Sequence, residues 1–347
     1  MRTFYTDGHH LHAPLAEFEG GRLAPAVETP RRADEILREI KERDLGEIVT
    51  PQHFGFEPIL RVHDPEFVRF LEVAYERWEH KYGSACSAAL PSAWPARTLR
   101  ALPTENIDAQ IGFYGFDTAT PITSGTWTAA RAAANVALSA AQAIYKGARG
   151  AFALCRPPGH HAAGNLFGGY CYLNNAAIAA QWLLDQGLRP AILDVDYHHG
   201  NGTQAIFYKR SDVLFVSVHA DPNHAYPHYL GFADEAGEGD GEGHTLNLPL
   251  PLGTDWTGYQ EALRKGLDKV RRFRPDAVVI SLGVDTYEKD PISKFRLTRD
   301  DFSRLGETLA DLRRPCLFVM EGGYAVEDIG NITVNVLDGF WGKGGAE

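Results

Sequence analysis

The sequence predicts an α/β protein, a parallel β-sheet covered by helices on both faces, and three observations point there. From residue 126 onward, short apolar runs alternate with longer segments of helical period, the pattern of repeated βαβ units. The runs are continuously apolar, as in AVVISL at 277–282, so each strand is covered on both sides. Five of these segments lead into histidine, aspartate, serine or tyrosine, at the strand ends where parallel sheets bind their ligands.

Taken in order, RTFYT at 2–6 reads as a first strand. HHLHAPLAEFEGG then reads as a loop carrying His9, His10, His12, Glu17 and Glu19. Three histidines so close could bind metal, but no neighbouring ligand shares their spacing, so they read as loop residues. Ala33, Ile36, Leu37 and Ile40 recur at three and four, which makes 28–44 helical. Residues 47–49 form a short strand. Asp64 caps a second helix with Pro65 in its first turn, and Phe67, Phe70, Leu71, Ala74 and Trp78 form its apolar stripe. Residues 83–125 hold no long periodic segment and are punctuated by proline and glycine. So long a connection in a compact domain is commonly functional or an interface. An alanine-rich helix at 126–146 and a strand at 150–154 follow, and Pro157-Pro158-Gly159 then turns the chain to present His160 and His161. After a helix at 174–186 comes the strand Ala191-Ile192-Leu193. Its extension brings Asp194, Asp196 and His198 to one side, two residues apart. Glycines end it before a short helix at 202–208. Strand 213–220 contains Ser217 and His219, helix 256–273 precedes a strand leading to Asp285, and PCLFVM leads through Gly322-Gly323 to Tyr324.

The chain has 347 residues, 44% hydrophobic and 23% charged, ample for a large core. It shows no repeat and no low-complexity linker, so 1–347 reads as one domain with 83–125 as an insertion. No apolar run is long enough to span a membrane, and the N-terminus lacks a signal-peptide pattern. Cys86, Cys155, Cys171 and Cys316 are scattered without a CxxC pair, which favours a reducing, cytoplasmic setting over disulfides or thiolate-bound zinc. A net charge of −11 disfavours nucleic acid and favours cationic ligands.

The five strand ends together suggest catalysis. Asp196, His198 and Asp285 would bind one divalent metal and leave a coordination position open for water. With no thiolate in the set, zinc is favoured, and iron(II) or cobalt(II) would fit. His160 and His161 suit the general base and acid, one held by Asp194 and the other by Asn201. An aspartate partner raises imidazole basicity and an amide does not, so the two need not carry the same charge. Tyr324 would donate its hydroxyl to an oxyanion.

At this point CRPPGHHA, LDVDYHHGNG, GVDTYEKDP and EGGY resemble the arginase/deacetylase fold, and within it the zinc-dependent histone deacetylase and acetylpolyamine amidohydrolase group. The resemblance implies a central sheet of about eight strands with the site at their C-terminal ends, and hydrolysis of an acetamide on an amine. It maps metal ligands to Asp196, His198 and Asp285, tandem histidines to His160 and His161, and the oxyanion tyrosine to Tyr324. It implies a structural potassium held by Asp194, Ser217 and the carbonyls of Asp196, His198 and Val218, and a second monovalent site near Phe207. Tyr170 and Tyr226 match aromatic tunnel walls, and Gly169 matches a carbonyl that accepts from the substrate amide. Ile292 stands where some members carry an acidic gatekeeper. PITSGTWTAA, the 83–125 insertion, HAP at 12–14 and Asn201 resemble the bacterial acetylpolyamine amidohydrolases, in which the insertion is similar to a dimer-forming loop that narrows the mouth. The resemblance therefore implies a homodimer that takes slender acetylated amines, with Glu17, Glu105, Asp108 and Asp117 attracting their distal ammonium groups. Three alternatives stay open: a protein acetyl-lysine deacetylase, a two-manganese ureohydrolase of the same fold, and a non-catalytic, metal-dependent binding protein for acetylated amines.

Overall fold

The computed structural model describes residues 1–85 and 87–343. Cys86 lies outside them, and Cys155, Cys171 and Cys316 are buried free thiols. In chain order the elements are β1 (Arg2–Phe4), β2 (Ala16–Glu19), β3 (Arg22–Pro25), α1 (Arg31–Glu42), β4 (Ile48–Val49), α2 (Glu57–Leu60), α3 (Pro65–Tyr82), α4 (Ile107–Tyr114), α5 (Thr126–Tyr145), β5 (Gly150–Ala153), α6 (Asn175–Asp185), β6 (Pro190–Asp194), α7 (Asn201–Phe207), β7 (Leu214–Ala220), β8 (Thr245–Leu250), α8 (Trp256–Phe273), β9 (Ala277–Leu282), α9 (Arg299–Ala310), β10 (Cys316–Met320) and α10 (Val326–Lys343).

Eight strands form one sheet in the order β4-β1-β5-β10-β9-β6-β7-β8, and every neighbouring pair is parallel. This is the sheet the apolar runs predict. Side chains alternate across it. Ala191, Leu193, Val278 and Ile280 pack with α1, α8, α9 and α10, while Ile192, Val279 and Leu317 pack on the other face with α5 and α6. The second face is rich in alanine, with Ala133, Ala137, Ala140, Ala176 and Ala180 against Ala151 and Ala153, so these helices lie close to the strands. A third cluster from α2, α3 and α4 covers the outer side of α5 and α6.

Local chemistry sets the ends of several elements. The Asp64 side chain accepts from the amides of Glu66 and Phe67 with Pro65 in the first turn of α3, as the sequence predicts. Thr298 and Asp301 form a reciprocal capping box on α9.

Three stretches depart from the expectations. The loop expected after His12 contains the antiparallel hairpin β2–β3, whose two-residue turn Gly20-Gly21 has φ of +56° and +80°, the left-handed backbone that tight hairpins need. The 83–125 segment, expected to hold no long periodic segment, contains the eight-residue α4, capped by the Asn106 side chain. Beyond β7 the sheet gains an edge strand, β8, for which Pro249 gives no interior-strand signal. Among the described residues no helix is long and apolar enough to cross a membrane.

Candidate active site

The C-terminal ends of β5, β6, β7, β9 and β10 converge, and their extensions carry the polar residues. Asp196, His198 and Asp285 are all buried, and one ligand atom from each lies within 4.8 Å of the other two. His198 Nδ1 is 2.9 Å from Asp285 Oδ2 and 3.4 Å from Asp196 Oδ1. Around a tetrahedral ion with bonds of about 2.0–2.1 Å, ligand atoms stand about 3.3 Å apart. One nitrogen facing two carboxylates can give a proton to only one of them at a time, whereas a divalent cation satisfies all three. The residues therefore fit a metal ion.

The backbone fixes these carboxylates from behind. Asp196 Oδ2 accepts from the Gly322 amide at 2.8 Å, and Asp285 Oδ1 from the Tyr197 amide at 2.8 Å. Gly322 must be glycine, since a Cβ there would stand 2.5 Å from Asp285 Oδ2 and 2.6 Å from Asp196 Oδ2.

The tandem histidines have different partners. His160 Nδ1 is 2.9 Å from Asp194 Oδ2, and His161 Nδ1 is 2.6 Å from Asn201 Oδ1. Burial would lower His160, but Asp196 and Asp194 raise it to about 10. Burial, then His160 and His198, hold His161 well below its ordinary value. Burial likewise opposes charge on His198, but Asp196 and Asp285 raise it to about 9. Burial and the neighbouring Asp196 push Asp285 up to about 7. In Asp196 the push from burial is overcome by His160 and His198, and its carboxyl lies well below the usual range.

A pocket of about 220 Å³ opens onto this centre, lined by Glu17, Asp117, Ala119, His161, Gly169, Tyr170, His198, Tyr226, Ile292 and Tyr324. His161 reaches it, and His160 is not among its lining residues. Gly169 has φ +57° beside the His161 ring, which leaves no room for a side chain. Tyr324 is 7% exposed, and its amide donates to Asp290 Oδ2 at 2.7 Å. Burial holds its phenol well above the ordinary value, so it is a hydroxyl donor at neutral pH.

The structure brings Glu17 and Asp117 into this pocket, but both are engaged. Tyr170 hydrogen-bonds Glu17. Asp117 Oδ2 accepts from the Gly169 amide at 2.6 Å and the Tyr226 hydroxyl at 2.7 Å. Asp117 thus shapes the wall as well as charging it. Glu105 and Asp108 do not join them. Asp108 pairs with Lys81 and Tyr82, and Glu105 lies with Arg77, His80 and Lys81 in a separate surface groove. The start of α4 draws both toward the basic end of α3. Of the residues matched to potassium, Asp194 and Ser217 are paired across β6 and β7, both fully buried, and Val218 follows on β7.

The histone deacetylase domain family matches residues 26–340. The chain belongs to that family. Its relatives within the family include acetylpolyamine amidohydrolase 2 of Pseudomonas aeruginosa, 53% identical over 99% of both chains, and acetylpolyamine amidohydrolase of Mycoplana ramosa, 47% identical over 99% of this chain and all of the other. A crystal structure of acetylpolyamine aminohydrolase from Burkholderia pseudomallei superposes on this family member with a TM-score of 0.94 at 41% identity, covering 99% of each chain.

Sequence reasoning assigned no role to the supports of this deacetylase site. Glu321 Oε2 accepts from the amides of Gly159 and His160 at 2.6 and 3.1 Å. Glu28 bridges Arg32 and Arg156, and Arg32 also donates to the carbonyls of Gly323 and Glu321. Glu321 and Arg156 sit inside recognisable motifs and could have been flagged there. Nothing in the sequence marks Glu28 or Arg32 as buried.

Proposed function

We propose that this histone deacetylase family member hydrolyses acetylated polyamines or related small acetylated amines, releasing acetate and the free amine. The observation that carries the reading is that two carboxylates, Glu17 and Asp117, line the same narrow pocket as His161, His198 and Tyr324. A substrate whose acetyl end reaches His161 and Tyr324 can then place a distal ammonium near acid. The activity named for the Pseudomonas and Mycoplana relatives supports the same substrate class.

In this reading Asp196, His198 and Asp285 hold one divalent ion, zinc by its donor set, with iron(II) or cobalt(II) also fitting. Such an ion supplies a Lewis acid and lowers the pKa of water. His161 donates its Nδ1 proton to Asn201 Oδ1, which leaves the Nε2 lone pair free. Nε2 takes the proton of the attacking water as the C–O bond forms and returns it to the amine nitrogen as the C–N bond breaks. His160, held behind it by Asp194, contributes charge and orientation. The Tyr324 hydroxyl donates to the acetyl oxygen as negative charge builds on it. Tyr170 and Tyr226 flank the chain of the amine, and the Gly169 carbonyl accepts from its amide N–H. A structural potassium would be held by Asp194, Ser217 and the carbonyls of Asp196, His198 and Val218. The proposed unit is a homodimer. Leu99 and Leu102 in the 83–125 segment and Leu15 and Leu23 at the hairpin are exposed, apolar surface that a second copy would cover.

The test is a panel of acetylputrescine, acetylcadaverine, acetylspermidine and an acetyl-lysine peptide with zinc-loaded enzyme. We expect kcat/KM at least tenfold higher for the acetylated diamines. Comparable turnover of acetyl-lysine in an intact folded protein would overturn the substrate assignment.

A further inference from the structure

We propose that His9, His10 and Asp34 form a second divalent metal site, for an ion of the zinc class, which clips the 3-10 turn at Asp7–Leu11 onto α1. No role in hydrolysis falls to these residues. His10 Nε2 lies 2.9 Å and His9 Nε2 3.5 Å from the same oxygen, Asp34 Oδ1, and ligand atoms of all three lie within 4.8 Å of one another. Those distances straddle the spacing of about 3.3 Å between ligands of a tetrahedral ion. The two rings are tilted by 34° to one another, with 3.9 Å between centroids.

The surroundings of His10 suit a cation. Its Nδ1 faces the Asp7 carbonyl at 3.1 Å and its Nε2 faces the Asp34 carboxylate at 2.9 Å. Both partners are acceptors, and a neutral imidazole carries one proton. The Asp7 carbonyl takes a proton from Nδ1, and the place between Nε2 and Asp34 is filled by a second proton or, in its stead, by a metal ion. A backbone carbonyl behind one nitrogen is also how metal-binding imidazoles are oriented. His9 Nε2 supplies the second nitrogen, 3.5 Å from Asp34 Oδ1. Without an ion, Tyr5 Oη donates to Asp7 Oδ1 and accepts from His9 Nε2–H; an ion at Nε2 moves that proton to Nδ1, which has no other partner. Tyr5 Oη, 3.0 Å from that Nε2 and 2.9 Å from Asp7 Oδ1, gives way to the ion. His9 is buried while His10 and Asp34 are about half exposed, so the ion enters from solvent and water completes its shell. Two imidazoles and a carboxylate suit zinc. His10 and Asp34 are 24 residues apart, and the chain between them carries the β2–β3 hairpin with Glu17. An ion here therefore restrains the segment that delivers Glu17 to the pocket.

The experiment titrates the zinc-loaded holoenzyme with further zinc at pH 8, counting ions by equilibrium dialysis and following Tm. His10→Ala and Asp34→Asn, both at half-exposed positions, are run beside it, with circular dichroism to check their fold. The wild type should bind one more zinc per chain than either variant, or bind it at least tenfold more tightly. It alone should gain Tm with that equivalent, because an ion that binds only the folded chain stabilises it. Equal zinc stoichiometry and affinity in all three proteins would overturn the site. So would an extra equivalent that raises Tm equally in all three.

Discussion

Replacing Glu28 by glutamine removes one charge from a buried triad. Glu28 Oε1 accepts from Arg32 Nη1 at 2.7 Å and from Arg156 Nε at 2.8 Å, and all three side chains are buried. Burial pushes the Glu28 carboxyl up, but Arg156 and Arg32 more than offset it and bring it down to about 2 from 4.5. A depression of that size corresponds to about 3 kcal/mol of stability at neutral pH. The Gln variant also leaves two buried guanidinium groups without their counter-charge, for which the usual cost is about 3–5 kcal/mol. For a chain of 347 residues the unfolding entropy is about 0.7 kcal/mol/K, so Tm should fall by about 4–7 °C at pH 7. The sign of the pH dependence follows from the depressed folded pKa. The contribution is complete above pH 4.5 and is lost as pH falls toward 2, so the wild type and Glu28→Gln should converge in acid. Differential scanning calorimetry of both proteins from pH 7 to 3.5 reads this directly. A Tm difference below 1 °C at pH 7, or one that does not shrink below pH 4.5, would refute the argument.

Three further predictions concern the site. Tyr324→Phe should retain zinc, measured by elemental analysis, and lose about 10²–10³ in kcat on acetylputrescine, the usual loss for one oxyanion donor. Asn201→Asp places a carboxylate on His161 and should move the acid limb of kcat/KM to higher pH, read from a pH–rate profile. Gly322→Ala puts a methyl group against Asp196 and Asp285 and should weaken zinc binding at least about tenfold in a chelator competition, with circular dichroism unchanged.

The parts of the fold that could be read from the sequence share one property, which is that their signal is local. Continuous apolar runs gave β6, β7, β9 and β10, and Asp64 with Pro65 gave the start of α3. Asp196, His198 and Asp285 were legible because strand alternation and a strand end determine where such side chains point. The hairpin β2–β3 was missed although Gly20-Gly21 is a turn signal, because its strands are mostly exposed and carry no burial pattern. α9 had a readable capping box at Thr298 and Asp301 that went unused. Glu105 and Asp108 show the opposite failure: their charge was visible and their position was not, since Lys81 and Tyr82 claim Asp108 from another helix. The pairing of His10 with Asp34 across α1's first turn was likewise beyond any spacing rule.

The groups proposed for chemistry and those that line the entrance have different origins. His160, His161, Asp196, His198, Asp285 and Tyr324 ride on extensions of the central sheet, while Glu17 comes from the hairpin and Asp117, Tyr170, Tyr226 and Ile292 come from surface connections. Exchanging those connections leaves the ligand-bearing framework untouched. The scaffold is therefore suited to grafting: new amide substrates could be sought by rewriting one hairpin and four loop positions while the hydrolytic apparatus is carried over unchanged.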